Sequence, residues 1–277
     1  MCINFLFQMR IENFSNELLV SICEYLPDAD KMSFMLSCKT IMNIGYFLLF
    51  NNKVNYEKIK KSRFKYNFTS VVFDEEEDDM INFKYLKKLT YNGCIFRNKN
   101  CIPRSVTHLI FGPYFNQDIK DLIHEGVTHL ILGDMFNSGI YGCLPNSLIH
   151  LKFGASFNQD VYECLPSSLI YLEFGNNFNC DVYGCFPPSL KHLKFGNDFN
   201  KEIKDCIPPF LIHLELGNSF NRIIKDKIPD SVKHLKLGRC FKQKIEIPPP
   251  VTHLTVYKSK NIRNNVPKTV IFLKILN

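Results

Sequence analysis

"SLIHLKFGASFNQDVYECLP", residues 147–166, is followed by "SLIYLEFGNNFNCDVYGCFP" at 168–187 and "SLKHLKFGNDFNKEIKDCIP" at 189–208. Outward from this stretch, glycines fall at 112, 133, 154, 175, 196, 217 and 238, always twenty-one apart. A phenylalanine sits three residues after each, from Phe115 to Phe241, and a leucine three residues before each, from Leu109 to Leu235. Asparagine follows the phenylalanine at 116, 137, 158, 179, 200 and 221. Proline stands nine residues before the glycine except where His124 replaces it. Degenerate copies at 86–91, 248–256 and 267–275 bring the strand-like segments to ten, centred on Leu89 to Leu273.

A fixed period of this length is the mark of stacked coils. In "SLIHLKFG" the polar residues His150 and Lys152 alternate with the apolar Leu151 and Phe153, the period of a short half-buried strand. Gly154 is expected to permit a backbone turn that a side chain would block, Phe157, Val161 and Leu165 to point inward, and Pro166 to stiffen the corner. One coil cannot bury its apolar side alone, but stacked coils cover one another. Their strands would pair in parallel about 4.8 Å apart. The expected architecture is a small α-helical amino-terminal module, residues 1–50, then a linker and capping segment with an acidic loop, 51–83. A solenoid with one long parallel sheet and 19–21 residues per coil follows over 84–277. The asparagines are expected to form a buried ladder that satisfies turn backbone.

The bulk composition narrows the function. The chain has 277 residues, 45% hydrophobic and 22% charged, with a net charge of +7 that is not gathered into a block. The densest charge is acidic, "DEEEDD" at 74–79, read as a solvated loop. A nucleic-acid partner is not indicated, and no apolar run is long enough to span a bilayer. "MCINFLFQMR" lacks the basic start and cleavage site of a signal peptide. Eleven cysteines, an odd number, suggest reduced thiols in a cytosolic or nuclear compartment. Cys101, Cys143, Cys164, Cys185 and Cys206 share one slot of the repeat and read as small buried hydrophobes.

Seven of the eight histidines occupy a single slot, His108, His129, His150, His192, His213, His234 and His253, with Tyr171 completing the run. The slot precedes the buried leucine, so the rings should file along the open face of the sheet. Lys152, Glu173, Lys194, Glu215, Lys236 and Lys274 make a second file beside them. Three roles stay open for the histidines: exposed residues retained by duplication, a partner-binding surface, or metal ligands. Metal needs convergent donors and outer-shell support, which a straight file does not offer, so no metal and no cofactor are expected. No GxSxG, HExxH or phosphate-cradling loop is present, and every candidate catalytic group is copied coil after coil. The chain is therefore expected not to be an enzyme.

"LxxLxFGxxFN" resembles a leucine-rich repeat, and the longer pattern "LPxSLxxLxFGxxFNxxI" resembles the FNIP repeat over residues 84–275. Upstream, "IENFSNELLVSICEYLPDADKMSFMLSCKTIMNI" at 11–44 places Leu18, Leu19, Ile22 and Leu26 at helical spacing after the cap Ser15, with a new start near Asp28 and a third helix in "IMNIGYFLLF". This segment resembles the F-box through "ELL" at 17–19, Ile22, "YLP" at 25–27, Asp30 and "SCK" at 37–39, with Phe14-Ser15 where F-box modules open with Leu-Pro. A helical cap on the first coil is the plainer alternative. The resemblance implies a substrate-recognition adaptor of a cullin–RING ubiquitin ligase, as in proteins of social amoebae and of giant viruses of amoebae. Phe14, Leu18, Leu19, Ile22, Leu26 and Leu36 would meet a Skp-type subunit, and the histidine and charged files would meet the target protein. If the chain is viral, it would act in the host cytoplasm. A repeat scaffold with no ubiquitin role, binding protein or polysaccharide, is the alternative.

Overall fold

The computed structural model describes residues 15–36, 48–75, 77, 80–243, 247–257 and 266–276. The chain opens with two helices, α1 (Asn16–Glu24) and α2 (Asp28–Leu36). The Ser15 side chain accepts a hydrogen bond from the Leu18 N–H and caps α1. Leu19, Cys23 and Phe34 are fully buried and belong to one core shared with the repeats. Lys31 is buried too. Its ammonium donates to Asp28 and to the Leu49 carbonyl, and the Asp28 carboxylate accepts from the Asn52 N–H. This small network ties α2 to the chain entering the sheet. The helices therefore close the end of the solenoid whatever else they bind.

Twelve parallel strands follow in strict sequence order: β1 (Val54–Asn55), β2 (Ser70–Phe73), β3 (Lys88–Tyr91), β4 (His108–Phe111), β5 (His129–Ile131) and β6 (His150–Lys152), then β7 (Tyr171–Glu173), β8 (His192–Lys194), β9 (His213–Glu215), β10 (His234–Lys236), β11 (His253–Tyr257) and β12 (Phe272–Leu276). A short helix, α3 (Tyr56–Ile59), leaves β1. All ten expected segments are strands. Two more, β1 and β2, pair onto them from within residues 51–83, so the sheet begins earlier than the repeat letters do. The third helix expected in 41–50 falls partly outside the described residues. Its end is extended instead, with Phe50 bridged in parallel to Phe68 and their rings 4.8 Å apart. At the far edge Phe272, Leu273 and Ile275 of β12 are exposed, as is Ile271 just before it.

Register is what turns sequence period into spatial contact. Leu130, Leu151, Leu172 and Leu193 are Cα partners in successive strands and are at most 1% exposed. Behind them Phe115, Phe136, Phe157, Phe178, Phe199, Phe220 and Phe241 form one stack, each ring 6.1–6.4 Å from the next and within 12° of parallel. Phe153, Phe174 and Phe195 each lie 3.8 Å from the stack ring of their own coil.

One expectation gains a specific cause and one needs correction. A side chain is blocked at the glycine column as expected, by close approach of the coils and not by a left-handed backbone, since none of its members has positive φ. A Cβ on Gly175 would lie 1.7 Å from the Gly154 carbonyl oxygen, so the coils approach too closely for any side chain. The asparagine ladder, in turn, is not buried. Asn116, Asn137, Asn158 and Asn179 are exposed, yet each side-chain oxygen accepts the backbone N–H of the equivalent residue one coil on, at 2.9 Å. The ladder satisfies backbone as expected, but at the rim.

The left-handed residues form a column of their own: Asp121, Gly142, Glu163, Gly184, Asp205 and Asp226, with φ of 55–67°. Glu163 is the costliest of these, since a β-carbon in this region is strained and the short side chain by which Asp tolerates it is absent in Glu. Glu163→Gly, which copies the coils on either side, is expected to raise stability by about 0.5–1 kcal/mol, read as a higher urea midpoint. An unchanged or lower midpoint would show that the turn carries no such strain.

Candidate functional site

The open face of the sheet is built from the two outward positions of each strand. His108, His129, His150, Tyr171, His192, His213, His234 and His253 are successive Cα partners. Their rings form a continuous file, with centroids 4.0–5.9 Å apart from His108 to His253. Most are half-buried by their neighbours, and His253 is exposed. The Nδ1 atoms of His108, His129 and His253 lie 2.9–3.0 Å from the hydroxyls of Thr107, Thr128 and Thr252, which fixes ring orientation.

Burial pushes the pKa of His108, His129, His150, His192, His213 and His234 down, and the charges of neighbouring imidazoles add to it for His108, His150, His213 and His234. His213 falls to about 4. These six folded histidines are therefore neutral where an unfolded histidine, near 6.5, already takes up a proton. Stability is full above about pH 6.5 and is lost as pH falls below it, toward about 4 for His213, by an amount that solvent screening of these half-buried rings keeps modest. Urea midpoints at pH 7.5 and 5.5 are expected to differ clearly, and His213→Gln with His234→Gln to narrow the gap. Equal midpoints in the parent chain contradict the stacked neutral file.

Beside the rings runs the charged file. Lys152, Glu173, Lys194, Glu215 and Lys236 are register partners of alternating sign, the favourable cross-strand arrangement. Glu173 pairs with Lys194 at 2.9 Å and Lys152 at 3.3 Å, and accepts from the Tyr171 hydroxyl at 2.8 Å. Burial would raise the Glu173 carboxyl, but these three groups outweigh it and hold it ionised. Glu215 pairs with Lys236 at 3.0 Å. A groove of about 540 Å³ lies against this file, floored by Gly154, Gly175 and Gly196 and edged by Asn176, Asn197 and Asn218. Asn197 and Asn218 each donate a side-chain amide hydrogen to the asparagine one coil back, at 2.9 Å. Spacing in the sequence was sufficient to find both files, but the second amide ladder was missed because it spans only three coils.

The other singled-out residues are placed as follows. Leu18 is exposed, Ile22 and Leu26 are half-buried, and Leu19 is inside the core. Leu36 ends α2, and Phe14 lies outside the described residues. The nine cysteines among the described residues are free, and burial raises the thiols of Cys143, Cys164, Cys185 and Cys206, with Cys185 at about 11. His124, the histidine outside the file, accepts the Gly126 N–H at Nδ1, so its Nε2–H donates to the Pro103 carbonyl and stands in for the missing corner proline. In the acidic segment, Asp74 accepts from Asn55 and Asn92 and bridges the first coils.

A sequence model of the FNIP Repeat matches seven overlapping segments between residues 98 and 259, beginning with 98–123 and ending with 220–259. These span more than half of the chain. The chain belongs to the FNIP repeat family. An FNIP repeat-containing protein of Acanthamoeba polyphaga mimivirus is 27% identical over 113 residues, 41% of this chain and 25% of the relative. An F-box and FNIP repeat-containing protein of the same virus is 32% identical over 111 residues, 39% of this chain and 20% of the relative. Among solved structures, CroV588, described as a novel circular LRR protein, aligns with TM-score 0.68 and 36% identity over 82% of this chain and 35% of its own. This FNIP repeat chain thus spans a fifth to a quarter of the length of the viral relatives and about a third of CroV588. Among the described residues, no helix is long and apolar enough to cross a membrane.

Proposed function

We propose that this FNIP repeat protein binds rather than catalyses, and that the open sheet face captures a target protein for a cullin–RING ubiquitin ligase. The observation that carries the capture role is the unbroken file of eight rings beside a file of five alternating charges, set in register on the half-buried open face of the sheet. A face with repeating donors, acceptors and charges suits an extended protein segment, and rigid strands hold those groups in place without an ordering cost. For the ligase role the support is the F-box-like spacing on α1 and α2, with Leu18 exposed at 46%, and a relative whose name includes an F-box. The ubiquitin chemistry then belongs to the partner enzymes, and this chain supplies proximity, in the cytoplasm or nucleus of the cell that holds it.

Purified chain and Skp-type adaptor test this by pull-down. The parent chain is expected to retain the adaptor and Leu18→Asp with Ile22→Asp to lose it while unfolding at the parent's temperature. Leu19 is not used, since a charge in the core would unfold the cap. A parent chain that never retains the adaptor, or a variant that still does, leaves the second reading, a protein-interaction scaffold with no ubiquitin role. That reading rests on the same sheet face and on the repeat architecture alone.

A further inference from the structure

The side of the coils away from the sheet carries its own column. Tyr141, Tyr162 and Tyr183 are twenty-one residues apart on consecutive coils and are 73%, 52% and 71% exposed. Each directly precedes a left-handed residue, Gly142, Glu163 or Gly184. Each carbonyl accepts from the thiol two residues on, at 3.2–3.5 Å, so the backbone that presents the rings is held from within. The Tyr162 ring reaches the neighbouring coil, 3.5 Å from where a Gly184 β-carbon would stand. Three exposed tyrosines on consecutive coils are an unusual surface for solvated turns.

Their setting has a definite charge. Residues 138–145, 159–166 and 180–187 contain Asp160, Glu163 and Asp181 and no lysine, arginine or histidine. All three carboxylates are exposed. Lys201 reaches Asp181 from the next coil at 3.7 Å, whereas Asp160 and Glu163 have no ion pair among the described residues. Lys120 and Lys204 hold the tyrosine position on the coils at either end, so the acidic aromatic strip is bounded. After burial, the Asp160 charge is the next cause that raises the thiols of Cys164 and Cys185 beneath the strip. This negative patch stands on a chain whose net charge is +7 and whose sheet face is lysine-rich.

We infer that Tyr141, Tyr162 and Tyr183, with Asp160, Glu163 and Asp181, form a second docking surface, for an arginine- and lysine-rich extended segment of a partner protein. Tyrosine faces attract guanidinium and ammonium groups, carboxylates beside them supply charge-assisted hydrogen bonds, and tyrosine is enriched where interfaces concentrate their energy. The surface is separate from the sheet face, so one chain holds two partners at once.

Fluorescence anisotropy with a labelled oligo-arginine peptide and the intact chain tests this. Saturable binding that weakens with salt is expected. Tyr141→Ala, Tyr162→Ala and Tyr183→Ala together are expected to weaken it about tenfold or more, as is Asp160→Asn with Glu163→Gln, while the triple tyrosine-to-phenylalanine variant keeps most of it. Substituting Glu75→Gln and Glu77→Gln in the acidic loop is expected to change little. No saturable binding, an alanine variant that binds like the parent, or a loss confined to the acidic-loop variant overturns the inference.

Discussion

Gly196→Ala is expected to cost about 3 kcal/mol or more, since its added methyl would meet the tightest set of backbone contacts of any glycine among the described residues. The new Cβ would stand 1.6 Å from the Gly175 carbonyl oxygen, 2.4 Å from its carbon and 2.9 Å from the Asn176 Cα. All three are backbone atoms, so no side chain can swing aside and the coils themselves must part. Parting them stretches the parallel pairing of β7 with β8 and the Phe178–Phe199 stack, both of which depend on the same spacing. Gly139→Ala is the control. No atom lies within 4 Å of its Cβ and its φ is not left-handed, so alanine there is expected to be neutral or stabilising by up to about 1 kcal/mol. Urea denaturation of the two variants settles the comparison. If both behave alike, close stacking is not what the glycine column serves.

Phe178→Ala comes next, with an expected loss of about 3–5 kcal/mol. Its ring is fully buried and touches three others: Phe174 at 3.8 Å in its own coil, and Phe157 and Phe199 at 6.2 Å on either side. Removing it opens a cavity in the middle of the stack. In a solenoid each coil is held only by its neighbours, so a central gap also loosens the coupling of the two halves. Unfolding monitored by fluorescence and by circular dichroism is expected to lose cooperativity, with a shallower transition as well as an earlier one. Phe241→Ala, near the end of the stack with 7% exposure, is expected to shift the midpoint less and leave the slope unchanged. An equal response at both positions argues against a nearest-neighbour stack.

The letters of the repeat carried most of this architecture because duplication writes spatial columns as sequence columns. Leu151, His150 and Lys152 each occupy the face their alternation implied, and Phe157 points into the core as expected. What the letters could not carry was distance. A glycine every twenty-one residues is compatible with a special turn or with close approach, and only the 1.6–2.0 Å to the next carbonyl from Gly133 to Gly238 selects the second. Burial of the asparagines was misread because satisfying a backbone N–H does not require leaving water. β1 and β2 lack the column glycine and the phenylalanine three residues after it, and Val71 and Phe73 of β2 reveal their role only through pairing. The left-handed column was hidden by its mixture of Asp, Gly and Glu. The tyrosine column was hidden by lysines at both ends and by the rule that attention goes first to buried apolar letters.

All of these readings depend on successive coils lying in register, so that a period of twenty-one residues becomes one strand spacing. Proton NMR of the chain with labelled histidine tests this directly through nuclear Overhauser contacts between imidazole rings. Strong contacts are expected between His192 and His213 and between His213 and His234, whose centroids lie 4.2 Å and 4.0 Å apart, and none between His192 and His234. Absence of the neighbouring contacts, or contacts that skip a coil, contradicts the stacked solenoid and every function assigned to its faces.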